Sequence, residues 1–248
     1  MTNKPAESGH WYTVNGEPRY TILGKNGKER NTTVRDAREH GFIPSVTTIL
    51  NIAAKPGLNT WLQQQAILAA LTLPRKEGEP EKDYLDRVLS DSKAQGREAA
   101  DRGTYIHGQI QNHIENKAGN YPPYVFAAKK ALDDYFGEQM WTCEESFGHS
   151  LGFGGKCDLN AYSNDNKHIV VDIKTKDKVD DKTAGYDEQI MQLAAYREGL
   201  NMQTARCANL FVDMDGNTKI VEYSETDVLT AWDCFYHLLR FYQRKNNL

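Results

Sequence analysis

The chain has 248 residues, 39% of them hydrophobic and 26% charged, with a net charge of −4. That make-up fits a water-soluble globular protein of one large domain or two small ones, and no stretch approaches the roughly 20 apolar residues that cross a bilayer. The charge neither demands nor excludes nucleic acid, because a basic groove can sit on an acidic protein.

The N-terminus, MTNKPAESGH, has no apolar core and no Arg-rich amphipathic pattern, so no signal or transit peptide is expected. Residues 10–35 alternate short β-like runs, WYTV and RYTIL, with the turn pairs Asn15-Gly16 and Asn26-Gly27. They read as one or two hairpins. PSVTTIL at 44–50 starts a short helix capped by Ser45, and 58–71 is a clearer helix with Asn59 or Thr60 as cap. A polar loop, LPRKEGEPEK, follows at 73–82. From 83 to about 117 the pattern is helical, with a break expected near Gly103, and 122–136 is a helix with Pro122 and Pro123 at its start.

The character then changes. WTCEESF (141–147), KCDLNAYS (156–163) and HIVVDIK (168–174) read as three consecutive strands, the first two joined by LGFGG and the next two by the turn Asn164-Asp165-Asn166. A helix at 186–200, strands at 208–213 and 218–223, and a final helix capped by Ser224 complete the chain. This order predicts an α/β fold. Its mixed central sheet is flanked by helices, with strand 168–174 parallel to strand 208–213 through a right-handed helical crossover. Three regions are expected to pack as one compact unit: an N-terminal hairpin region over 1–40, a helical region over 41–136 and a sheet-bearing core over 137–248.

Side chains alternate along a strand, so in HIVVDIK the residues Val170, Asp172 and Lys174 share one face. A lone carboxylate there would cost several kcal/mol or take up a proton. Asp158, on the preceding antiparallel strand, can converge on Asp172. Two close acids raise each other's pKa unless a cation lies between them, and an oxygen-rich site of this kind suits Mg²⁺ or Mn²⁺. The Ile173 carbonyl could add an oxygen, and Lys174 could orient or deprotonate a water or steady a phosphate. For Asp172-Ile173-Lys174 alone the plainer reading, a solvated salt bridge at a strand end, is the stronger. The next helix shifts the balance, because Gln189, Gln192 and Tyr196 recur three and four apart on one face of it.

Gly155 with Asp158, Asp172-Ile173-Lys174 and Gln192-Leu193-Ala194-Ala195-Tyr196 resemble the PD-(D/E)XK nuclease superfamily in its RecB-like branch. That branch carries a G-x-x-x-H helix before the sheet, and Gly103 to His107 matches it. The layout over about residues 43–200 is similar to the group of the mitochondrial genome-maintenance exonuclease and its phage and bacterial relatives. The resemblance implies a restriction-endonuclease-like sheet. It implies that His107, Asp158, Asp172 and the Ile173 carbonyl hold one or two Mg²⁺ or Mn²⁺ ions, that Lys174 is the catalytic lysine, and that Gln192 and Tyr196 position DNA. A glutamate on the first core strand is also usual. Glu144 and Glu145 both qualify, and alternation with Trp141, Cys143 and Phe147 favours Glu145.

The function implied is a metal-dependent DNA exonuclease acting on single-stranded or frayed DNA in replication, repair or recombination, in a bacterial or phage-infected cytoplasm. A structure-specific endonuclease of the same fold and a non-catalytic DNA-binding accessory are the alternatives. Gln189 is a further candidate for contacting DNA, and Lys176 and Arg102, with Lys178, Lys182 and Arg97, are candidates for following phosphates. Trp61, Tyr105, Tyr121 and Tyr124 could stack on bases, although core packing is the plainer role for each. Cys143, Cys157, Cys207 and Cys234 do not cluster and form no CxxC pair, so neither a zinc site nor an iron–sulfur cluster is expected. No membrane partner is expected.

Overall fold

The computed structural model describes residues 9–162 and 167–248. The turn read at Asn164-Asp165-Asn166 lies outside the described residues, as does most of the N-terminal decapeptide. In chain order the elements are β1 (Trp11–Tyr12), β2 (Thr21–Leu23), β3 (Glu29–Asn31), α1 (Val34–His40), β4 (Ile43–Pro44), α2 (Val46–Leu50), α3 (Pro56–Thr72) and α4 (Glu81–Ile114). Then follow α5 (Pro123–Phe136), β5 (Thr142–His149), β6 (Phe153–Ala161), β7 (Ile169–Thr175), α6 (Asp187–Gly199), β8 (Arg206–Val212), β9 (Thr218–Tyr223) and α7 (Glu225–Asn246).

The described residues divide into two compact units, one formed by residues up to Ala53 together with Gln109–Leu248, the other by Ala54–Gly108. The division cuts across the three regions read from the sequence.

The first unit is built on a five-stranded sheet in the order β5-β6-β7-β8-β9. β5/β6, β6/β7 and β8/β9 are antiparallel, and β7/β8 is parallel. This is the expected mixed α/β sheet. A parallel neighbour cannot be reached by a tight turn, and α6 supplies the crossover. Val170, Cys157, Phe153 and Cys207 join a buried cluster with α2 (Val46, Ile49, Leu50), α6 (Leu193, Ala194, Ala195) and α7 (Val228, Phe235, Leu239). α5 packs against β8 and β9. Ser45 and Ser224 start α2 and α7 as expected, each hydroxyl accepting the backbone N–H three residues on, from Thr48 and Asp227.

Both expected turns are present: Asn15-Gly16 lies in a turn closed by an antiparallel bridge between Tyr12 and Pro18, and β2/β3 form a hairpin around Asn26-Gly27. What the sequence did not show is that β1 also pairs with β4, about thirty residues away in the chain. Between them lies α1, not anticipated, closed by a reciprocal cap in which Thr33 N donates to Asp36 Oδ2 at 2.8 Å.

The second unit holds α3 and most of α4. α3 begins at Pro56 in the first helical turn, earlier than the expected Asn59 or Thr60 cap. The break expected at Gly103 does not occur: α4 runs unbroken for 34 residues. A glycine costs about 1 kcal/mol inside a helix, which so long a run absorbs.

Candidate functional site

The strand β7 reads IVVDIKT, and its first five residues are buried. Asp172 is only 1% exposed. A carboxylate so placed requires partners, and it has three donor contacts. Lys174 Nζ donates to Oδ1 at 3.0 Å and lies 2.8 Å from Oδ2, and Asn209 Nδ2 donates to Oδ2 at 2.8 Å. The sequence reading found the lysine but not the asparagine. Asn209 interrupts the apolar run of β8 and stands directly in register with Asp172, which was the available signal.

Asp158 comes to the same place by a departure from regular pairing. The β6/β7 ladder runs from Ala161↔Ile169 to Leu159↔Val171 and goes no further. Beyond it, the backbone N–H of Ile173 donates to Asp158 Oδ2 at 2.8 Å. The carboxylate takes the bond that a backbone carbonyl would otherwise accept, and this pins Asp158 beside the Asp172–Lys174 segment.

From α6, Gln192 and Tyr196 reach the same spot. Lys174 Nζ donates to Gln192 Oε1 at 3.1 Å, and Gln192 Nε2 donates to the Tyr196 hydroxyl at 2.8 Å. Gly155 makes room for this: a Cβ there would stand 2.6 Å from Phe147 Cζ and 3.1 Å from Tyr196 Cε1. Spacing on one helix face thus becomes a contact between helix and strand.

The electrostatics follow the geometry. Burial opposes the charge of Lys174, but the fields of Asp172 and Asp158 and the bond to Asp172 outweigh it, so its pKa is raised. Lys174 stands as an ammonium at neutral pH. Burial, with the same two carboxylates, drives the Tyr196 phenol well above its ordinary value, so it stays protonated.

The remaining predicted residues are placed as follows. Gln189 uses its side-chain oxygen to accept the Tyr186 backbone N–H at 3.1 Å, which holds the start of α6. Lys176 Nζ lies over two aromatic rings, 4.5 Å from that of Tyr186 and 5.6 Å from that of Phe211. Lys178 pairs with Asp180. Tyr124 is buried, so it offers no stacking surface. Glu145 accepts from Asn160 Nδ2 at 2.8 Å, whereas Glu144 pairs with Lys156. Glu144 has a φ of 55°, which breaks the strand alternation that favoured Glu145. His107, half-buried, and Arg102, exposed, belong to the second unit.

Among the described residues, no three or more His, Cys, Asp or Glu side chains gather closely enough to enclose a metal ion. Two carboxylates converging on one buried amine is nonetheless a donor set that fits a hard divalent cation. Mg²⁺ is commonly held by one or two carboxylates, with water and substrate phosphate filling the other positions. The residues fit an open, substrate-completed site and not a closed cage.

No protein-family model and no curated protein matches this chain. A solved structure, that of SSO0001, is similar over 73% of this chain and 85% of its own, with a TM-score of 0.31 and 15% identity. A likeness of that degree carries nothing about function. No helix among the described residues is long and apolar enough to cross a membrane.

Proposed function

We propose that this chain is a Mg²⁺- or Mn²⁺-dependent deoxyribonuclease of the PD-(D/E)XK type, cleaving phosphodiester bonds from the ends of single-stranded or frayed DNA. One observation carries the proposal. A lysine that is three-quarters buried is bonded at once to a fully buried aspartate on its own strand and to a glutamine on the crossover helix, within the field of a second aspartate. A surface salt bridge does not need that much convergence, and here the aspartate is not at the surface. The preference for free ends and for single strands comes from the family resemblance.

In this reading Asp158 and Asp172 hold the metal, with the Ile173 carbonyl beside them. A bound Mg²⁺ or Mn²⁺ would supply Lewis-acid chemistry there, polarising a phosphate oxygen and making a water more acidic. Lys174 stays protonated beside the carboxylates and donates to the attacking water or to a phosphate oxygen. Gln192 fixes the direction of the Lys174 amine, and Tyr196 fixes Gln192. Lys176 with the exposed ring of Tyr186 offers charge and a stacking face for the strand leaving the site. His107 lies in the other unit, and the proposal is built without it.

The test uses 5′- and 3′-labelled single- and double-stranded oligonucleotides, with Mg²⁺ or with EDTA. Stepwise loss of label from single strands with Mg²⁺, none with EDTA, and an intact circular single strand are expected. Cutting of the circle would make the enzyme an endonuclease, and inertness on every substrate with Mg²⁺ and Mn²⁺ would refute the proposal.

A further inference from the structure

Asn209 is 0% exposed in a strand whose other interior residues are apolar. A leucine or valine would serve the core there without the cost of burying an amide. The amide is fully used instead. Its Nδ2 donates to Asp172 Oδ2 at 2.8 Å and reaches the Asp172 main-chain carbonyl at 3.3 Å, so one group grips both the side chain and the backbone of the same residue. Its Oδ1 accepts the Tyr223 hydroxyl proton at 2.7 Å. An amide turned the other way would set its oxygen against the carboxylate, so the Tyr223 bond keeps the NH₂ group facing Asp172. Gly185 in turn leaves space for that hydroxyl, since a Cβ there would clash with Tyr223 Oη.

We infer that Asn209, oriented by Tyr223, is a positioning residue that presets the Asp172 carboxylate for a divalent cation. The inference rests on the nuclease reading and names residues of that same site. Lys174 alone would draw the carboxylate toward its own ammonium. A neutral donor on Oδ2 fixes the rotamer against that pull and leaves the negative charge of Asp172 intact for the metal, which a second cation would not do. The two residues come from β8 and β9, so the sheet itself supplies the support.

The experiment measures Mn²⁺ binding by electron paramagnetic resonance for the full-length protein, Asn209→Leu, Tyr223→Phe and Asp172→Asn, with thermal melting as a check of folding. Asn209→Leu is expected to lose about tenfold or more in Mn²⁺ affinity. Tyr223→Phe is expected to lose affinity in the same direction by a smaller factor. Both should keep the KM for a single-stranded oligonucleotide at saturating Mn²⁺. If Asn209→Leu does not fold, Tyr223→Phe decides the matter, since it removes only a hydroxyl. Wild-type affinity in whichever folded variant is read, while Asp172→Asn loses binding, overturns the positioning role alone. Asp172→Asn binding Mn²⁺ like the wild type overturns the metal site, and the positioning role with it.

Discussion

The Lys174 ammonium is held between Asp172 and Gln192, and its charge depends on two carboxylates that burial would otherwise make costly. Removing the amine leaves Asp172 with the neutral Asn209 donor and no counter-charge. Lys174→Ala is therefore expected to lower single-turnover cleavage by about 10²-fold or more, the range for loss of a group that transfers or stabilises a proton. Binding of a labelled oligonucleotide in Ca²⁺ should stay near wild type. Undiminished cleavage by this variant would remove Lys174 from the chemistry. A second residue-scale expectation concerns Gly199, where a Cβ would stand 2.0 Å from the buried Phe147 ring. Gly199→Ala is expected to destabilise the fold by about 1–3 kcal/mol, the usual cost of overpacking a core. Chemical denaturation would measure it. At this scale the sequence disclosed the groups that carry charge. Asp158, Asp172 and Lys174 are conspicuous because they interrupt or end apolar runs. Asn209 interrupts one too, but a neutral amide inside a strand gives no sign of what it binds until β8 is laid beside β7. The preference for Glu145 over Glu144 rested on strict alternation, which the φ of Glu144 breaks.

Elements whose signal is local were legible. The runs of β7 and β8 are apolar enough to be strands, α6 has its polar face, and Ser45 and Ser224 announce their helices. The Ser224 hydroxyl satisfies a backbone donor at the start of the 22-residue α7. Ser224→Ala should cost about 1 kcal/mol of stability, read as a lower melting temperature with the fold retained. Other elements depended on partners that no local pattern shows. β1 is two residues long and exists as a strand because β4 accepts it. VRDAREH is too polar to stand out as a helix, yet the Thr33–Asp36 cap and the Arg30 guanidinium bonded to Asp36 hold its first turn. In α4 the glycines predicted a stop. Their cost is small against a helix that buries Val88, Ile106 and Ile110 along its length.

At the scale of the whole molecule, each compact unit carries a carboxylate that an arginine holds below its ordinary pKa, Asp36 in the first and Glu79 in the second. In the second unit the Arg87 guanidinium, bonded to Glu79 at 2.9 Å, holds that carboxyl down at about 2. A depressed carboxylate pKa gives stability that is complete above the ordinary value of 4.5 and is lost as the pH falls toward about 2. Glu79→Gln should therefore flatten the acid limb of unfolding between those values, followed by circular dichroism, and leave the neutral-pH fold helical. The fold class itself was legible at this scale, because β-β-β-α-β-β admits few sheets. The division at Ala53 and Gly108 was not, since it falls within a continuous helix and at a short loop, where composition does not change.

The parallel pairing of β7 with β8 has a consequence for how the protein is made. A ribosome delivers Asp158, Asp172 and Lys174 first, and Asn209 and Tyr223 follow only after the crossover helix. At roughly 5–20 residues per second the acids wait for seconds before their neutral supports emerge. During that interval they stand in water as ordinary carboxylates. The cluster around Asp172 is thus completed late in translation, and a nascent chain stalled before β9 carries its acids without the frame that aims them.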